Sequence, residues 1–169
     1  MDSAVWQTKV DCHYWATERM LDSVAGLSTE QLARELVSSF PSIHVTLVHM
    51  LLSECFLLSI LRQQVPEFPK PEDLPTVTLL RDRWQHSRTK LNQFVEQQTP
   101  EAWMRTVTLK PAPDKELRLQ VWEVLDELIT HGTYHRGQVT TMLRQVGGTP
   151  VNTDPIFFYA DRTTPTHTS

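Results

Sequence analysis

Only 2 cysteines, Cys12 and Cys55, occur in 169 residues. They are too few and too irregularly placed for a disulfide framework or a CxxC metal site. Such thiols suit a reducing compartment, and the cytoplasm is the expected location. Positive charge is also scarce: 16 Lys and Arg face 20 Asp and Glu, a formal net charge of −4. Without a basic footprint, the nucleic-acid backbone is not an expected partner. The amino terminus "MDSAVWQTKVDCHYW" lacks the basic n-region and long apolar run of a secretory signal. The longest greasy run, "VTLVHMLLSECFLLSIL", contains His49 and Glu54. It therefore reads as a core helix rather than a membrane span, and no membrane association is expected.

What is present is ordinary for a folded chain: 40% hydrophobic residues, 21% charged residues and 5 tryptophans. The length fits one domain over residues 1–169, with the end from about residue 162 frayed. A first helix reads from about Ala4 to Ala25, stopped by Gly26. Ser28 stands three residues before Gln31, the spacing of a capping box, and opens a short helix or turn. Pro41 suits the first residue of a second long helix, apolar almost all round, which "QQVPEFPKPEDLP" ends. Leu80, Trp84, Leu91 and Phe94 mark a third amphipathic helix, ended at Thr99-Pro100. The alternation around Thr106 to Thr108, followed by the turn "PAPDK", predicts a β-hairpin. A fourth long helix spans about Leu119 to Val146, ahead of a loop-like tail that Phe157, Phe158 and Tyr159 can pin. The expected fold is all-α: a four-helix bundle with one long connection and a small hairpin inserted before the last long helix.

In the fourth helix, Val121, Leu125, Leu128, His131, His135, Val139, Met142 and Val146 follow steps of three and four. Two histidines thus stand where leucines belong. At i and i+4 their imidazoles can reach one point, and imidazole ligates zinc, nickel, copper and iron. A lone HxxxH pair is more often hydrogen-bonded or incidental than metal-binding. His49, one of few polar residues in the greasy second helix, supplies a third nitrogen and shifts that balance, because an unpaired buried imidazole is unfavourable. Three histidines from two helices hold a divalent ion while leaving a position for water or substrate. His13, His44, His86 and His167 lack a ligand-type partner at i+4 and read as surface, packing or tail residues. Gly132 and Gly137 each weaken a helix by roughly 1 kcal/mol relative to alanine. Close packing and room for a bound molecule are equal explanations. Arg136 and Gln138 turn off the histidine stripe; Arg136 can pair with a helix carboxylate such as Glu54 or meet an anionic ligand, and structural pairing is the expected role.

The string "THGTYHRGQVTTMLRQVGGTPVNTDPIFFY", with the upstream "HVTLVHMLLSE", resembles the DinB-like superfamily of damage-inducible and thiol-S-transferase-like metalloproteins. The resemblance covers nearly the whole chain. It implies a DinB-type bundle with His49, His131 and His135 as ligands of nickel or zinc, often in a homodimer. It further implies, for some members, transferases or isomerases that use a low-molecular-weight thiol such as bacillithiol or mycothiol. No motif here identifies a thiol pocket, and no catalytic residue beyond the metal triad is assigned. The expected function is a metal-dependent enzyme, a thiol-dependent S-transferase or a hydrolase, with the ion activating thiol or water. The alternative is a non-catalytic metal-binding stress-response protein.

Overall fold

A computed structural model describes residues 2–163. Four long helices carry the architecture: α1 (Ser3–Ala25), α3 (Ile43–Arg62), α4 (Val77–Glu96) and α6 (Val121–Gln145). Three shorter ones join them: α2 (Thr29–Ala33), α5 (Pro100–Trp103) and α7 (Pro155–Thr163). α1 packs on α4 and α6, and α3 packs on the same two, so the four long helices close a ring around one core. Leu21, Leu47, Leu51, Leu80, Leu91 and Leu125 are fully buried there. Each such side chain contributes about 1.5–3 kcal/mol when removed from water.

Side-chain caps set most helix starts. Asp2, Ser28, Ser42, Thr76 and Thr99 each accept a hydrogen bond from a backbone N–H of the first turn. Ser28 and Gln31 complete the expected capping box. α3 begins at Ile43 rather than Pro41, because the Ser42 hydroxyl accepts from Val45 N at 3.2 Å and makes Ser42 the cap. Glu123 Oε2 likewise accepts from Gln120 N at 2.6 Å, fixing the start of α6.

The hairpin pairs β1 (Thr106–Ala112) with β2 (Lys115–Gln120), antiparallel, with Thr106 opposite Gln120 and an irregularity between Leu109 and Ala112. Leu119 belongs to this strand and not to the last long helix, since its ladder partner Val107 holds it in extended backbone. Val107 and Leu109 bury one face of the hairpin against the bundle. Two features depart from expectation. α4 already stops at Glu96, capped at Gln97, and Thr99-Pro100 instead starts α5, which sets Trp103 against Trp6 with ring centroids 5.7 Å apart. The tail forms helix α7 with Pro155 in its first turn, where proline has no N–H to waste. Phe158 pins it to Trp15 of α1 (5.8 Å), whereas Phe157 and Tyr159 stay exposed. His167 lies outside the described residues.

α3 is long and apolar enough to cross a membrane by composition alone. Here it lies between α4 and α6, and its Glu54 is buried among hydrogen-bond donors, as suits a core helix.

Candidate metal centre

The stripe read along α6 is buried from Val121 to Val146 except at His131, which is half-buried. α3 packs against that stripe and brings His49 to it. His131 Nε2 lies 3.2 Å from His49 Nε2 and 3.1 Å from His135 Nε2. Among the described residues, these three form a group whose ligand atoms all fall within 4.8 Å of one another.

The trio fits a divalent ion. Zinc–nitrogen bonds of about 2.0–2.1 Å in a tetrahedral site place ligand nitrogens roughly 3.3 Å apart, close to the spacing seen. Burial, followed by the neighbouring imidazoles, pushes His131 down to about 4, and burial and His135 also lower His49. Neutral imidazole is the form that binds metal. The donor set is all nitrogen, suited to first-row transition metals and zinc and poorly suited to calcium or magnesium.

Two residues that sequence reasoning did not assign to the site hold the trio in position. Gln138 Oε1 lies 2.8 Å from His135 Nδ1, and the Gln138 amide donates to Ser39 Oγ at 2.8 Å. Because an amide oxygen only accepts, His135 carries its hydrogen on Nδ1 and presents the Nε2 lone pair to the centre. The signal was the offset of three between His135 and Gln138, which puts neighbours on one helical side. Phe40 stacks on His49 (centroids 4.1 Å, 29°) and lies 5.7 Å from His135, screening one side of the group. No periodicity flags it, since residues 34–42 lie outside any helix.

A second polar group lies behind the first. Glu54 accepts from Tyr14 Oη at 2.7 Å, Trp84 Nε1 at 3.0 Å and His13 Nε2 at 3.2 Å. Nε2 faces an acceptor and therefore bears the hydrogen of His13, while Nδ1 meets Arg136 Nη1 at 3.4 Å. Burial keeps His13 below its ordinary value, so its contact with Glu54 is a hydrogen bond from a neutral ring rather than an ion pair. Burial also lowers Arg136, to about 10, which leaves the guanidinium charged. Arg136 is buried, and it hydrogen-bonds His13 and Thr17 rather than Glu54, whose charge it feels at longer range. His13 packs inside, His44 Nε2 bonds Leu74 O at 2.8 Å, and His86 is exposed. A narrow cleft, lined by His13, Glu54, Trp84 and His131, separates the two groups.

The glycines divide the two explanations. A Cβ on Gly132 would stand 2.6 Å from His13 Cε1, so Gly132 lets α1 and α6 close. A Cβ on Gly137 would meet nothing within 4 Å.

An all-α bundle with a hairpin before its last long helix, and a three-histidine group shared by α3 and α6, defines a class of helical protein able to hold a metal ion. The DinB family model matches residues 7–165, and the chain belongs to the DinB family. It is similar to the protein DinB of Bacillus subtilis (strain 168), 26% identical over 151 residues, covering 83% of this chain and 85% of that one. The crystal structure of a DinB-like protein from Bacillus cereus ATCC 10987 has the same fold, with a TM-score of 0.67 at 19% identity. That match covers 88% of this chain and 93% of the other.

Proposed function

We propose that the protein is a metal-dependent enzyme in which His49, His131 and His135 hold nickel or zinc, and that it carries out thiol-dependent S-transfer or hydrolysis. The observation that carries this reading is the convergence of three Nε2 atoms from two helices, with no carboxylate among them and two of the rings only partly buried. A divalent ion with an open position lowers the pKa of a bound thiol or water and so supplies a nucleophile near neutral pH. The chain's own contribution is placement. Gln138 fixes the tautomer of His135, Phe40 screens His49 from water, and burial keeps His49 and His131 neutral. Resemblance within the family favours transfer over hydrolysis. A cytoplasmic homodimer belongs to the same reading.

The test is elemental analysis of untagged protein purified without chelator, beside a His131→Ala/His135→Ala variant. About one equivalent of nickel or zinc, absent from the variant, is expected; equal metal content in both removes the site. A screen of thiols and electrophiles on the metal-loaded protein follows, with loss of turnover expected in His135→Ala. The non-catalytic alternative draws support from Glu54, whose three donors leave it poorly placed to act as a base. It gains if chelation sharply lowers the melting temperature and the screen yields no turnover.

A further inference from the structure

Away from the histidines, a pocket of about 520 Å3, open solvent included, lies between α3, α4 and the connection at residues 63–76. Arg62 borders it from the end of α3, and Arg83, His86 and Lys90 from α4, at steps of three and four that set them along one side of the helix. Among the described residues its one carboxylate is Glu67, on the connection. Three permanent cations around one acid is a local reversal of sign in a chain of net charge −4. Glu67 Oε2 approaches Lys90 Nζ at 3.0 Å although the Glu67 side chain is 82% exposed. Lys90 foremost, with His86 and Arg62, holds the Glu67 carboxyl below the usual carboxylate range. Among the described residues, neither Arg62 nor Arg83 has an ion-pair or hydrogen-bond partner for its guanidinium.

The pocket floor bears on chemistry. Ser59 and Ser87 are buried there beside Cys55, whose thiol is pushed up to about 11 by burial first and then by Glu54. A thiol that stays protonated is no nucleophile at neutral pH, so the floor offers polar contact without covalent reactivity.

We propose that this pocket binds a small oxyanion, phosphate or a phosphate monoester, and that Glu67 is the internal stand-in the anion displaces. Guanidinium groups match phosphate oxygens two at a time, which the single Glu67 carboxylate, engaged on Lys90, does not exploit. The site is independent of the proposed metal centre.

The test is calorimetric titration of the full chain with inorganic phosphate at constant ionic strength, with chloride as the control. Saturable binding of one phosphate is expected. Glu67→Gln tightens it by about threefold, the scale of one exposed ion pair. Arg62→Ala/Arg83→Ala weakens it by about tenfold or more, as loss of charge-assisted hydrogen bonds does. The His131→Ala/His135→Ala variant keeps the wild-type affinity, which separates this pocket from phosphate ligating a metal. Absence of saturable binding in both wild type and Glu67→Gln overturns the proposal, as does indifference to the arginine substitutions or loss of binding in the histidine variant. Glu67→Gln binding no tighter than wild type overturns the displacement.

Discussion

His13 and His131 line the same narrow cleft, yet their polar atoms are treated oppositely. His13 is fully enclosed and satisfied on both ring nitrogens, by Glu54 and by Arg136. His131 is half-buried and turns its Nε2 toward two further imidazoles, and among the described residues no acid pairs with it. Burial combined with complementary partners gives structure, since removing one member strands the others in a low dielectric. Burial combined with converging lone pairs leaves a demand that an external cation can meet. Composition alone cannot separate the two cases, because both are histidines on the inner faces of long helices.

The contrast can be broken most forcefully at Glu54. Replacing it with alanine leaves three donors unpaired and should destabilise the fold by about 3–5 kcal/mol, read as a shift in urea midpoint. A loss under 1 kcal/mol would make the network incidental. On the other side of the cleft, Gln138→Leu frees His135 to flip its tautomer and should weaken metal binding by about 10–100-fold. Competition with a chromophoric chelator measures it, and an unchanged affinity would show that Gln138 orients nothing. The glycines sharpen the comparison further. Gly132→Ala drives a methyl against the His13 ring and should lower stability by about 1–3 kcal/mol. Gly137→Ala meets open space and should raise it by about 0.5–1 kcal/mol. Thermal melts of the pair decide the matter, and equal signs would refute the steric account.

Much of this arrangement was legible in the chain. The steps of three and four through Val121, Leu128, His135 and Met142 predicted both the buried face of α6 and its histidines, because helical period and burial are local consequences of sequence. Ser28 and Gln31 announced their capping box for the same reason. Arg136 was not legible: its burial depends on His13 arriving from 123 residues away, and nothing near Arg136 encodes that meeting. Phe40 was hidden similarly, since irregular backbone carries no period. The tail reads as loop-like, yet Pro155 stands in the first turn of helix α7, where proline supports a start.

His49 and His131 stand 82 residues apart along the chain. Their meeting therefore requires closure of a long loop and docking of two helices that share few local cues. Until then the HxxxH pair of α6 offers only two ligands, and a metal should be held weakly and exchange quickly. Slow release of bound metal would thus begin only once the two helices have docked. Stopped-flow capture of a metal ion would time that docking directly, making the three imidazoles a clock for the meeting of α3 and α6.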